Sequence, residues 1–129
     1  FLYPTGFAPL GYGIPAGIGA KLAHPDRDVV VLVGDGGAMF TLPELAVAVE
    51  LGLAIAIVVV NDGGYGEIRR EMIATGQPLL GVDLTTPDFA DLARAFGARG
   101  ETIADPAQLP DLLSGAFATP TPTVIDVRL

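Results

Sequence analysis

Two unbroken apolar runs dominate the polarity pattern. Val29 to Val33 and Ala54 to Val60 are rich in β-branched residues and lack the alternation of a half-exposed strand. Each is read as a strand buried on both faces, the kind found in parallel sheets. Between them Leu42, Leu45, Ala46 and Val49 recur at helical spacing as far as Gly52. Thr41 is the expected N-cap of that helix, Pro43 suits its first turn, and Glu44 follows Thr41 as in a capping box. A strand, a helix and a strand in succession predict two parallel strands joined by a right-handed crossover.

The remaining pattern is less regular. Gly11 to Leu22 predicts a helix of small residues, able to lie close to another backbone. Pro87 to Phe96 predicts an amphipathic helix capped by Thr86, Arg99 to Ile103 a strand, Pro106 to Phe117 a helix and Thr123 to Val127 a last strand. Pro122 places that strand at an edge or delays its start. Met39 and Phe40 are expected in the core. Gly63 to Thr86 is the longest irregular stretch, with a helical part over Glu67 to Ala74. The alternation predicts an α/β domain: a parallel sheet with helices on both faces, three layers in all. No repeat, low-complexity tract or linker interrupts residues 1–129, which fit one domain.

Composition narrows what such a domain does. Half of the 129 residues are hydrophobic and 17% are charged, so part of the surface is expected to be covered by another domain or subunit. A net charge of −8 argues against nucleic acid as a partner. The absence of cysteine excludes disulfides, thiolate metal sites and cysteine nucleophiles. The single histidine, His24, lies in Ala23-His24-Pro25-Asp26, read as a surface turn, and excludes multi-histidine sites. Leu53 to Val60 is too short to cross a membrane, and no signal peptide is visible, so the cytoplasm is the expected compartment. The chain starts at Phe1 without Met and is expected to be a piece of a longer protein.

The chemistry gathers where the two main strands end. The first empties into Gly34-Asp35-Gly36-Gly37, the second into Asn61-Asp62-Gly63-Gly64-Tyr65-Gly66. In an open parallel sheet, ligands bind at the carboxyl ends of strands. Asp35 and Asp62 therefore arrive at one edge, each followed by glycines that let amides reach an oxyanion. Two carboxylates with nearby carbonyls make a hard-oxygen site for Mg²⁺ or Ca²⁺. The helix starting near Thr41 is expected to turn its positive end to the same place. Gly34 to Met39 fails as a dinucleotide fingerprint, because Met39 stands where the third glycine belongs. Asp35 beside a phosphate makes sense when a metal bridges them.

Gly34-Asp35-Gly36, a strand–helix–strand reach and Asn61-Asp62-Gly63-Gly64 resemble the thiamine diphosphate (ThDP) motif. With the preceding Leu10-Gly11-Tyr12-Gly13-Ile14-Pro15-Ala16-Gly17-Ile18-Gly19-Ala20-Lys21, the chain resembles, nearly end to end, the C-terminal ThDP-binding domain of the acetolactate synthase and 2-oxo acid decarboxylase family. The resemblance implies Mg²⁺ held by Asp35, Asp62 and the Gly64 carbonyl. Asp62 stands where the family usually has a second Asn. It implies amides of Gly36, Gly37 and Ala38 facing the diphosphate beside Gly34. Leu10 would be the apolar wedge under the bent cofactor, and the Ala8 carbonyl would accept from the aminopyrimidine, although Ala8-Pro9 departs from the usual Gly-x. It implies an enzyme that decarboxylates a 2-oxo acid, the carbon left behind meeting a proton or a second carbonyl. The activating Glu would come from a pyrimidine-binding domain of a neighbouring subunit in a homodimer or homotetramer. This domain alone would catalyse nothing.

Other residues have two readings each. Glu67 lines the substrate space or is a solvated helix-start carboxylate. Tyr65 packs on the cofactor or on the core. Arg69-Arg70 binds a substrate carboxylate or is a solvated pair. Tyr65 to Arg70 is also similar to decarboxylases of guanidino-type 2-oxo acids. Two other classes compete: a non-catalytic assembly module with the same fold, and a phosphorylated signalling domain. Against the latter, the only Lys, Lys21, lies in the first helix.

Overall fold

The computed structural model describes residues 1–129. Four parallel strands form one sheet: β1 (Val30–Gly34), β2 (Ala56–Asn61), β3 (Arg99–Ile103) and β4 (Thr123–Arg128), in the order β1-β2-β4-β3. All three pairings are parallel. The helices are α1 (Gly13–Ala23), α2 (Asp35–Ala38), α3 (Leu45–Glu50), α4 (Gly66–Ala74), α5 (Phe89–Ala95) and α6 (Leu109–Phe117).

The strands carry side chains to alternate faces. Val31, Ile57 and Val124 stand in register on one face and join Ile14, Leu45 and Phe89 in a core of 14 buried residues. Helices α1, α3 and α5 thus cover this face. The small residues of α1 have their expected use: a Cβ at Gly17 would collide with the Val31 side chain, so the helix lies against β1. On the opposite face Val58 and Ile125 pack with Ile103, Val127 and the Leu109, Leu112 and Leu113 side chains at α6. Helices therefore stand on both faces, but α6 leaves β1 bare on its side: Leu32, in register with Val58, is 71% exposed.

Several local expectations are corrected. Thr41 does not cap a helix; its hydroxyl donates to the Gly11 carbonyl at 2.8 Å, tying the approach to α1 to the next turn. With that cap diverted, Leu42–Glu44 form a 3-10 turn before α3. The helix that opens at the end of β1 is α2, in residues for which the sequence predicted no helix. Thr86 does not cap α5 either; Asp88 does, its Oδ1 accepting from Asp91 N at 2.8 Å. Met39 and Phe40 are outside the core, 47% and 58% exposed, because α2 ends in a turn that faces them outward. β4 lies between β2 and β3 and is no edge strand; Pro122 only delays its start, and its carbonyl accepts from Arg99 N.

Candidate functional site

β1 and β2 are adjacent and parallel, so both chains leave the sheet at one edge. Asp35 is the first residue of α2, and Asp62 follows the last residue of β2. Gly64 N donates to Asp35 Oδ2 at 2.7 Å, which joins the two strand ends directly. The second loop is braced from outside. Tyr65 N donates to the Val82 carbonyl and Leu84 N to the Gly63 carbonyl, each at 2.9 Å. Gly64 has φ 146° and a Cβ there would collide with the Val82 carbonyl, so only glycine lets the loop lie against this segment.

Arg69 adds a further brace. Its Nη2 donates to the Gly63 carbonyl at 3.3 Å, and its Nε lies 2.7 Å from Asp83 Oδ1, an ion pair without hydrogen-bond alignment. The solvated reading therefore fails for Arg69, 26% exposed, and holds for Arg70, 75% exposed. Asp62 is exposed, and its Oδ2 occupies the place of any Cβ at Gly66.

A trough of about 1120 Å³ runs along β1 to these loops, and every site residue read from the sequence except Ala38 lines it. Ala38 is fully buried in the main core. Leu10 is half exposed beside the trough. Ala8 is the one non-glycine residue at positive φ, 41°, a conformation that glycine adopts at lower cost. The Tyr65 ring lies against Gly36, at the lip of the trough and not in the core. Glu67 lines the trough but pairs with Arg70, its neighbour one helical turn on. His24 is exposed.

The donor set fits a hard cation. Asp35 is 1% exposed, and no Lys or Arg forms an ion pair with it or with Asp62. A buried carboxylate without a basic partner is costly unless a cation joins it. Carboxylate and carbonyl oxygens are the ligands Mg²⁺ prefers. No group of three or more His, Cys, Asp or Glu side chains stands ready to hold a metal, and the oxygen set here needs only two.

The family described as thiamine pyrophosphate enzyme, C-terminal TPP binding domain, matches residues 1–127. The chain belongs to this family. The family's cofactor is thiamine diphosphate, with Mg²⁺ as its standard metal. The chain is 42% identical over 129 residues to a protein of Pseudomonas aeruginosa named "Probable 2-ketoarginine decarboxylase AruI", covering 99% of this chain and 23% of that one. It is 37% identical over 132 residues to the acetolactate synthase large subunit of Parasynechococcus marenigrum, covering 97% and 21%. The structure matches that of the Rhodococcus jostii RHA1 thiamine diphosphate-dependent 4-hydroxybenzoylformate decarboxylase with a TM-score of 0.85 and 37% identity, covering 92% and 23%. This ThDP-binding domain thus spans less than a quarter of the length of these relatives, which are larger enzymes.

Two features of the domain escaped the sequence reading. One is the Val82–Leu84 brace, which has no local signal. The other is Asp126, a carboxylate inside the apolar run Thr123 to Val127, and such an interruption is itself a signal that something must satisfy it. No helix is long and apolar enough to cross a membrane.

Proposed function

We propose that this domain holds the diphosphate and metal end of thiamine diphosphate in an acetolactate synthase-like enzyme that decarboxylates a 2-oxo acid. Asp35 and Asp62 would ligate Mg²⁺ through their carboxylates and Gly64 through its carbonyl. The Gly36 and Gly37 amides lie in the first turn of α2, where a helix leaves its N–H groups without an acceptor, and would face diphosphate oxygens, with the Ala38 amide, buried behind them, completing the turn. Leu10 would support the bent cofactor, with the Ala8 carbonyl near its aminopyrimidine. When bound, the cofactor supplies the electron sink for loss of CO₂. The protein's part would be to place the cofactor, hold the metal that offsets its charge, and support its bent form.

The observation that carries this reading is the Gly64 N to Asp35 Oδ2 bond, made beside two carboxylates that lack any basic partner. Titration calorimetry with Mg²⁺ and ThDP tests it. Wild type should release heat and Asp35→Ala should not; equal heats would remove the reading. The activating Glu would come from a pyrimidine-binding domain of a neighbouring subunit, in a cytoplasmic homodimer or homotetramer, and the isolated domain would be inactive. The bare β1 face, with Val30 48% and Leu32 71% exposed, supports a further covering domain or subunit.

A second reading has its own support. Glu67 lines the trough, and the relative of Pseudomonas aeruginosa carries a 2-ketoarginine decarboxylase name. An acidic side chain there would meet a cationic guanidino tail, with the substrate displacing Arg70. In the assembled enzyme, Glu67→Gln should weaken discrimination between cationic and neutral 2-oxo acids. Unchanged discrimination would leave the first reading alone.

A further inference from the structure

β4 is apolar from Val124 to Val127 but for Asp126, which is fully buried. A buried carboxylate is costly unless its charge and lone pairs are matched. Arg128 Nε donates to Asp126 Oδ2 at 3.1 Å, and Asn61 Nδ2 donates to Oδ1 at 3.0 Å. Asn61 is the last residue of β2 and stands immediately before Asp62. Its side-chain oxygen accepts from Thr86 Oγ1 at 3.3 Å, and its backbone carbonyl accepts from Leu129 N at 3.0 Å. Arg128 reaches on to Asp88 Oδ2 at 2.7 Å, at the cap of α5.

Asn61 is thus held at its amide nitrogen, its amide oxygen and its main-chain carbonyl. Its side chain faces β4 and is committed there, so it is no spare ligand. What these bonds fix is the direction in which the chain leaves β2. Three residues on, that direction decides whether Gly64 N reaches Asp35. A flexible exit would leave the second carboxylate and the Gly64 carbonyl without a set place relative to the first.

We infer that Asp126 is a positioning residue for the Asp62–Gly64 loop, acting through the side-chain amide of Asn61. The inference rests on the metal-site reading of that loop, but its first test does not. Asp126→Asn keeps the size of the side chain and must lose one of its two donors, because an amide presents only one oxygen. Amide hydrogen exchange, followed by NMR on the chain without metal or cofactor, compares Gly64 with Val58 at the centre of β2. In the variant, exchange at Gly64 relative to Val58 should rise about tenfold, as one restraint on a local opening is lost. Affinity for ThDP with Mg²⁺ should fall about 10–100-fold, as for other groups that orient metal ligands.

A merely structural role would raise exchange at both amides together and leave their ratio unchanged. An unchanged ratio in the folded variant overturns the inference. If Asp126→Asn does not fold, Thr86→Val decides. It removes the donor to the Asn61 oxygen from a partly exposed loop, and should raise the ratio about threefold; no rise overturns the inference. A wild type that binds no ThDP with Mg²⁺ would sink the proposed function, while the exchange ratio still decides the role of Asp126.

Discussion

The main-chain nitrogen of Gly64 donates to Asp35 Oδ2 across 2.7 Å, joining loops that leave two different strands. The bond satisfies one oxygen of a buried carboxylate with a neutral donor. It does not neutralise the charge, and no basic side chain does. The unmatched charge of this buried carboxylate is a cost to the fold that a cation held at the proposed site would offset.

That cost gives a sign to one substitution. Asp35→Asn retains an oxygen for Gly64 N and removes the charge. In the absence of metal the variant should be more stable than wild type by about 1–2 kcal/mol. It should also lose the rise in Tm that ThDP with Mg²⁺ gives wild type. Thermal unfolding with and without cofactor reads both effects. A less stable metal-free variant would show that the buried charge is not the source of the cost.

The sheet and the meeting of two strand-end loops at one edge were legible in the sequence for a physical reason. Strands buried on both faces admit few residue types, so Val30–Gly34 and Ala56–Asn61 announce themselves, and a parallel sheet delivers their ends to one edge. The caps were not legible. Thr41 and Thr86 have suitable side chains at suitable places, but their hydroxyls are drawn to Gly11 and Asn61, partners 30 and 25 residues away. Strand order was equally hidden, since nothing near Pro122 tells that β4 enters between β2 and β3. The solvated reading of Arg69 fails because its partners, Gly63 and Asp83, meet only once the loop has folded back on Val82–Leu84.

Asp88 predicts a pH dependence. Its carboxyl is held below the usual 3.8, first by the amide of Asp91 at the start of α5, against desolvation by burial and with help from the Arg128 guanidinium. A group whose folded pKa is depressed stabilises the fold above its unfolded value, and that contribution fades as pH falls through the folded value. Asp88→Ala should therefore cost about 1 kcal/mol near pH 7, a typical figure for a helix cap. The difference from wild type should shrink below pH 3.8. Urea unfolding at neutral and acid pH measures it; a cost independent of pH would assign the effect to packing.

Thr123 opens β4 with its hydroxyl buried and without a partner. The residue is 1% exposed, so bulk solvent does not reach the group. Thr123→Val replaces the hydroxyl by a methyl of similar size and keeps a β-branched side chain in a central strand. It should stabilise the fold by about 1 kcal/mol. A destabilised variant in urea would mean that the hydroxyl has a partner, such as an ordered water.

Gly66 separates stability from function most cleanly. It is the first residue of α4, and its φ is not positive, so alanine fits its backbone. The obstacle is the site itself, because an added Cβ would collide with Asp62 Oδ2. The Asp62 carboxylate must turn away, and it is free to do so, since it is exposed and has no basic partner. In Gly66→Ala the helix should gain from the higher propensity of alanine, by up to about 1 kcal/mol, so the fold should not weaken. Binding of ThDP with Mg²⁺ should nevertheless fall by about tenfold or more, because one of the two carboxylates has left its place. Unfolding and calorimetry on one preparation read the two signs together. If affinity survives while the helix gains, Asp62 does not hold the metal, and the ion is left to Asp35 and the Gly64 carbonyl.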